Sequence, residues 1–200
     1  MRCLPLPRAL AADRDGATIV EFAIIAPVLL AVLLGTMEFG LDVYMRAVLE
    51  GAMQQAGRNS SLQTAQSGQT ALDTFVSDRV KAIMGNATVT FTRQNYQNFG
   101  SVNRAEDYTD ANGNGVHDSN ECFQDANNNG VWDADMGRSG IGGANDIVEY
   151  TATVNYPSLI PGAASVFKIS PTTTISVTTI LRNQPFANQP SWTTTQVCPP

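Results

Sequence analysis

The sequence predicts an α+β protein with a long N-terminal helix, a second helix and a small antiparallel sheet of about three strands. An uncharged apolar run near the N-terminus and an apolar spacing of three to four residues after it predict the helices. Three later segments that alternate apolar and polar residues predict the strands. With 200 residues and 21.4 kDa, the chain has room for one domain and an appendage.

Residues 17–41 form a candidate transmembrane helix. At ~1.5 Å per residue this segment spans about 37 Å, which is enough to cross a bilayer, and Pro27 inside it is tolerated in membranes. A secretory signal peptide is the alternative, because three arginines precede the run. No small-x-small cleavage signature follows Leu34, and the apolar character fades gradually, so we expect the segment to stay in the membrane.

The apolar spacing continues beyond the membrane and extends the first helix to about Gly57. The residues that recur are Met37, Leu41, Tyr44, Val48 and Ala52. After a linker at 59–68, Thr70 is a candidate cap of a second helix that ends near Gly85. We expect strands at 88–94, 147–156 and 173–181, with a turn at 156–162 before the third strand.

The N-terminal segment resembles the signature of TadE-like proteins, the minor pseudopilins of the bacterial tight-adherence (Tad/Flp) pilus system. The matching residues are Gly16, Val20, Glu21, Phe22, Ala23, Pro27, Glu38, Phe39 and Gly40. The resemblance implies a leader at 1–16 and cleavage by a prepilin peptidase after Gly16, which makes Ala17 the first residue and Glu21 the fifth. In that family the glutamate offsets the new α-amino charge of a neighbouring subunit.

The same resemblance implies a single pass through the bacterial inner membrane, with the N-terminus cytoplasmic and a pilin-like domain at 42–200 in the periplasm. Other pilins and the Tad assembly machinery are the implied partners. The implied role is assembly of a pilus for surface adhesion, whether or not the subunit enters the filament. A membrane-anchored calcium-dependent adhesin or ligand-binding protein unrelated to pili is the alternative.

Composition argues against two classes of function. The net charge of −6 and the pI near 4.6 exclude the basic face that a nucleic-acid-binding protein needs. The chain has one histidine, and no nucleophile, base and acid stand out together, so we expect no enzymatic activity. Half of the 18 acidic residues lie between Glu106 and Asp146, inside a segment at 97–146 that looks like an insertion.

The insertion contains an internal repeat. Residues 110–118 and 125–133 share seven of nine residues at an offset of 15. Each copy has the D-x-N-x-N-G spacing of an EF-hand-type calcium loop, although 15 residues leave no room for a regular EF-hand pair. The loops are similar to the short calcium loops of thrombospondin-type extracellular repeats. The alternative is a pair of Asn- and Gly-rich surface turns.

We therefore expect one or two calcium ions. The candidate ligands of the first loop are Asp110, Asn112, Asn114, the Val116 carbonyl, Asp118 and Glu121. Those of the second are Asp125, Asn127, Asn129, the Val131 carbonyl, Asp133 and Asp135. The second loop has Met136 where the first has Glu121, so Asp135 or a residue such as Asp146 has to replace the missing glutamate. His117 and Trp132, at equivalent positions, are expected to pack.

Two of the three cysteines are candidates for a disulfide. Cys3 lies in the expected leader and would be removed with it. Cys122 and Cys198 would remain in an oxidising compartment, where an even number of cysteines favours a disulfide. Two unpaired thiols are the alternative.

Overall fold

The computed structural model describes residues 15–60, 69–159, 170–183 and 192–199. Residues 1–14 of the expected leader, which include Cys3, most of the linker at 59–68 and part of the turn at 156–162 lie outside the described residues. Two helices are described, α1 (Asp15–Ser60) and α2 (Gln69–Lys81). Helix α1 runs continuously through Pro27, as the apolar spacing predicts.

Six strands follow the helices, at β1 (Thr88–Tyr96), β2 (Phe123–Asp125), β3 (Arg138–Ser139), β4 (Ile147–Pro157), β5 (Thr172–Arg182) and β6 (Thr195–Val197). Strands β3-β1-β4-β5 form an antiparallel sheet in that order, and β2 pairs with β6 in a small second sheet. The α+β class is therefore confirmed. The three predicted strands correspond to β1, β4 and β5, while the short strands β2, β3 and β6 carry too few residues to show an alternation.

The core lies between the two helices and one face of the four-stranded sheet. Helix α1 contributes Met45, Leu49 and Met53, which are fully buried. Helix α2 contributes Val76 and Val80, and strand β4 contributes alternate residues along its length. The part of α1 beyond the membrane segment is thus an integral part of the domain.

The predicted inward face of α1 is right at Ala52, which is buried in the core, and at Leu41, which packs against it, but wrong at Met37 and Tyr44. Tyr44 and Met37 are 57% and 63% exposed, whereas Met45 and Leu49 are fully buried. Two apolar stripes run side by side on this helix. The stripe that packs against the sheet contains the long, flexible side chains of Met45 and Met53. The spacing alone could not distinguish the two stripes, because both repeat at helical intervals.

Tyrosine hydroxyls tie the sheet to the helices. Tyr156 on β4 donates to Asp42 on α1 at 2.5 Å, and Tyr150 donates to Asp73 on α2 at 2.6 Å. Arg93 on β1 pairs with the same Asp73. Burial and the bonds to these carboxylates raise the pKa of Tyr150 and Tyr156 above the usual value. These contacts hold α1 and α2 in place on the sheet.

Candidate functional site

The candidate site consists of two regions, the N-terminal part of α1 and the acidic insertion at 97–146, which connects β1 to β4. One described helical segment, Thr18–Asn59, is long and apolar enough to cross a membrane; its most apolar 18 residues have a mean hydropathy of 2.4 and none of them is buried. Gly16 and Glu21 lie on this helix and are exposed. A side chain added at Gly16 would contact no atom within 4 Å.

The first loop of the insertion coils around the side chain of Asp110. Its carboxylate accepts hydrogen bonds from the backbone N–H groups of Gly113, Asn114 and Gly115 at 2.6, 3.2 and 2.8 Å. These bonds lower the pKa of Asp110, the one from Gly115 most of all. Gly113 and Gly115 have φ values of +73° and +76°, which glycine adopts without strain. The sequence therefore folds locally into a tight polar loop.

The other predicted residues of this loop take up a regular pattern. The side-chain oxygens of Asn112 and Asn114 accept from the N–H groups two residues further on, both within 2.9 Å. Their amide nitrogens both donate to one oxygen of Asp118, at 2.6 and 2.9 Å. The first, third, fifth and ninth positions of the loop thus point inward together.

The second loop repeats this pattern. Asp125 accepts from the N–H groups of Asn129 and Gly130 at 3.2 and 2.8 Å. The amides of Asn127 and Asn129 donate to Asp133 at 2.7 and 2.6 Å. The structure thus brings the candidate residues of each loop together, with one exception in the second loop.

That exception is Asp135, whose carboxylate binds other groups. It accepts from the Tyr96 hydroxyl at 2.8 Å and from the Gly137 N–H at 3.2 Å, although it borders the same surface pocket as Asn127 and Asn129. The other candidate, Asp146, accepts hydrogen bonds from the Gly143 N–H at 2.7 Å and from the Trp192 indole N–H at 2.9 Å. Neither residue closes the second loop.

The second loop is closed by Glu106, which sequence reasoning missed. In the first loop, Glu121 accepts from the N–H groups of Ala111 and Asp118 at 2.8 and 3.0 Å. In the second loop, Glu106 accepts from the equivalent groups of Ala126 and Asp133 at 2.8 and 3.1 Å. Each loop is therefore closed by the glutamate that stands four residues before the other loop.

A signal for Glu106 was present in the sequence. Glu106 and Glu121 are separated by the same 15 residues as the two loops, so the repeat begins at the glutamates. Tyr108 and Phe123 are also equivalent in this longer repeat, and they form a β-bridge with each other. His117 stacks on its equivalent, Trp132, with ring centroids 4.7 Å apart. Equivalent residues therefore meet in pairs, as they do about a local two-fold axis.

The two glutamates are buried carboxylates. Glu106 and Glu121 are 1% and 2% exposed, and Asp125 is 3% exposed. Among the described residues, the ion pairs lie elsewhere, at Arg46–Glu50, Arg93–Asp73 and Arg104–Asp107. The three buried carboxylates are thus stabilised by backbone N–H groups, without a cationic side chain. The cationic side chain of Arg138 binds the neighbouring Ala126 carbonyl, at 2.8 Å.

The chemistry of the loops is one of oxygen donors. In the part of the chain that the structure describes, no three His, Cys, Asp or Glu side chains are placed to hold a metal ion by themselves. A cation bound by either loop would have to be held by amide and carbonyl oxygens together with the carboxylates. That mixed oxygen set fits a hard cation such as calcium and does not fit zinc.

A disulfide holds the two loops to the C-terminal segment. Cys122 is bonded to Cys198, the pairing that the sequence predicts. Cys122 lies between Glu121 and β2, and β2 pairs with β6 next to Cys198. Nearby, Arg138 lies 4.1 Å above the Trp192 ring. The C-terminal segment is thereby anchored to the connection between the loops.

The comparisons with known proteins concern the N-terminal helix. No curated protein and no solved structure matches the chain. A family model described as TadE-like protein matches residues 16–58, which include Gly16, Glu21 and the α1 residues of the core. The match covers the membrane segment and the adjoining part of α1, and it does not extend into the insertion. The predicted resemblance is thus confirmed over this segment: residues 16–58 are similar to the corresponding segment of TadE-like proteins.

Proposed function

We propose that this protein is a minor pseudopilin that takes part in assembly of a Tad/Flp-type pilus. The observation that carries the proposal is the TadE-like match over residues 16–58, which begins at Gly16, five residues before Glu21. A prepilin peptidase would cut after Gly16 in the cytoplasm and leave Ala17 as the N-terminus. The α+β domain would then stand in the periplasm, and the TadE-like match favours this role over an unrelated membrane-anchored adhesin.

Glu21 would bind a neighbouring subunit during assembly through a charge pair in the membrane. A carboxylate exposed on a membrane helix is unfavourable in lipid unless it is paired. Cleavage after Gly16 creates an α-amino group, and the positive charge of that group on a neighbouring subunit would pair with Glu21. The pairing is strong in lipid, where the dielectric constant is low.

The N-terminus of the protein isolated from its own membranes tests the processing step. We expect mass spectrometry to find a chain that starts at Ala17, and a Gly16→Ala variant to keep the full length. Gly35→Ala is the matched control, because a side chain contacts nothing within 4 Å at either glycine. A native chain that starts at Met1, or a Gly16→Ala variant that is still shortened, would contradict the proposal.

We also propose that calcium stabilises the acidic insertion of this pseudopilin. The supporting observation is the burial of Glu106, Glu121 and Asp125 without a cationic partner among the described residues. Buried charges are unfavourable unless they are paired or bind a metal. Glu121 would bind the ion of the first loop, with Asp110, Asn112, Asn114, Asp118 and the Val116 carbonyl. Glu106 would complete the second loop, in place of Asp135.

Calcium titration of the full-length protein in detergent micelles tests this proposal. Asn in place of Asp weakens such sites, so we expect a Kd near ~10⁻⁴ M. Calcium at ten times the Kd would add about 1.4 kcal/mol per site to the free energy of unfolding. Asp110→Ala should remove the first site. Asp107→Asn also removes one negative charge, but at an exposed side chain, so this variant should bind calcium normally. A melting temperature that is the same with calcium and with chelator would leave the loops as polar turns.

A further inference from the structure

The outer edge of β5 is an open strand edge. In the described part of the chain, β5 pairs with β4 on one side and with no strand on the other. From Thr172 to Leu181 the strand has no charged residue and no proline. Proteins usually protect a long edge strand with charges, prolines or a covering segment, because its free N–H and C=O groups can pair with another chain.

The opposite side of the sheet offers a second open edge. Strand β3 pairs with β1 only at Gln94 and Asn95, so within the described residues the side of β1 that faces away from β4 has no strand beside it from Thr88 to Thr92. This stretch alternates threonine with Val89 and Phe91 and carries no charge. The strand residues at both edges are therefore uncharged and rich in β-branched side chains, and Arg46 and Glu50 of α1 border a groove beside Ser176–Thr179 of β5.

The two open edges point in the same direction relative to the membrane. Strands β1 and β5 are both antiparallel to β4, so they are parallel to each other. The start of β5 lies near Asp42, because Tyr156 binds Asp42 and pairs with Thr173. Its end lies near Gly57, whose α-carbon faces the Leu181 side chain. Both strands thus run along α1, away from the membrane segment.

We propose that the β5 edge of one copy pairs in parallel with the β1 edge of the next copy in the same membrane. Membrane-anchored copies share one orientation, so an antiparallel pairing of two β5 edges would require one of them to be inverted. Pairing of β5 with β1 needs no inversion. Because the two edges differ, the contact is head-to-tail, and each added copy leaves one edge of each kind open. The association rests on membrane anchoring and on neither calcium nor processing.

The register of the present sheet gives the expected position of contact. Thr90 on β1 lies level with Thr153 on β4, which lies level with Ser176 on β5. Copies that stand at equal height would therefore bring Ser176 of one beside Thr90 of the next. Both residues are exposed on the sheet face away from the helices. Threonine and serine pairs already bridge β4 and β5 on that face, at 2.8 and 3.2 Å.

Cysteine cross-linking of the full-length protein in membranes tests the contact. In a Cys3→Ser background, Thr90→Cys combined with Ser176→Cys should give a ladder of dimers, trimers and larger products with a short thiol cross-linker. Pairs of Thr90→Cys with Thr174→Cys or Thr178→Cys cover a shift of two residues in register. Thr90→Cys with Thr194→Cys is the matched control, since Thr194 is exposed but lies on neither edge.

Three results would overturn the proposal. These are the absence of a ladder from every edge pair, an equal ladder from the control pair, and cross-linked dimers from Ser176→Cys alone, which would show that two β5 edges face each other. A Gly16→Ala version of the double-cysteine protein should still form the ladder, because edge pairing depends only on shared orientation. A failure of processing is thereby distinguished from a failure of edge pairing.

Paired charges give a second test that does not depend on cross-linker geometry. Lysine at both Thr90 and Ser176 should disrupt the association, since like charges would face each other across the contact. Thr90→Lys with Ser176→Asp should restore it. Oligomer size, followed by energy transfer between labelled copies in vesicles, should fall in the first variant and recover in the second. Equal signals from both variants would contradict the contact.

Discussion

Glu106 accepts a hydrogen bond from the backbone N–H of Asp133 at 3.1 Å, although 27 residues separate them in sequence. The bond closes the second loop with a side chain that precedes the first loop. Because Glu121 closes the first loop in the same manner, each half of the repeat depends on the other. The two loops should therefore form and bind as a unit.

We expect Glu106→Gln and Glu121→Gln each to weaken calcium binding by about tenfold or more, since each would remove a carboxylate that we propose as a bidentate ligand. Glutamine has nearly the same shape, but its single side-chain oxygen can accept from only one of the two loop N–H groups that each glutamate binds. Isothermal titration of the full-length protein in micelles measures the effect. The exposed Asp107→Asn is again the control. If Glu106→Gln bound calcium like the unmodified protein while Glu121→Gln did not, the role of Glu106 in the second loop would be wrong.

Removing the stacked ring of Trp132 should uncouple the two loops. The Trp132 ring stacks on His117 and contacts the edge of Tyr108, and its indole N–H donates to the Glu106 carbonyl at 3.0 Å. Trp132→Ala should lower the free energy of unfolding by about 1–3 kcal/mol. Trp132→Phe retains a ring and should lose less. Denaturant unfolding of both variants measures the difference, and equal losses would assign the effect to the indole N–H.

Reduction of the Cys122–Cys198 disulfide should destabilise the insertion and the C-terminal segment together. The bond joins residues 76 apart, and constraint of the unfolded chain over such a loop is worth up to ~4 kcal/mol. Thermal unfolding with and without a thiol reductant measures the loss. A variant with serine at both positions should melt at the lower temperature and be insensitive to reductant. If the reductant destabilised that variant by the same amount, the loss would not be due to the Cys122–Cys198 bond.

Alkaline pH should destabilise the contact between the sheet and the helices. Burial and the hydrogen bond to Asp42 raise the pKa of Tyr156, so above the usual value near 10 the unfolded chain loses this proton before the folded one. The stability that this contact contributes is therefore fully present below pH 10 and is lost as the pH rises through the raised pKa of Tyr156. Tyr156→Phe should lower stability at pH 7 by about 1 kcal/mol and make the alkaline loss shallower. Urea unfolding between pH 7 and 11 checks both, and an unchanged slope would contradict the prediction.

The sequence predicted the large elements well, because each has a periodic apolar pattern long enough to recognise. Helix α1 and strands β1, β4 and β5 are such elements. The inward stripe of α1 was predicted only in part, at Leu41 and Ala52, because Met45 and Leu49 lie beside an equally apolar stripe and only packing against the sheet selects between them. Strands β2, β3 and β6 have two or three residues each, and they depend on tertiary pairing.

The candidate site was predicted in its composition but not in its connectivity. Loop residues such as Asp110 and Asp125 follow a local spacing, so their inward orientation could be expected. Glu106 lies outside the nine-residue repeat and acts on a loop that begins 19 residues later, which no local spacing indicates. Extending the repeat to the residue pair Glu106 and Glu121 would have found it. Asp135 was proposed because it is near in sequence; its carboxylate accepts a hydrogen bond from the Tyr96 hydroxyl, and the residue borders one pocket with Asn127 and Asn129.

Helix α1 is both the anchor and a wall of the core, and this has a mechanical consequence. Its 46 residues extend over about 69 Å without a break, and Met45, Leu49 and Met53 fasten its second half into the domain. A force on the membrane segment would therefore reach the packed side chains of the domain directly, because one continuous helix joins the two. The membrane segment and the α+β domain would therefore move as one unit when the protein leaves the bilayer.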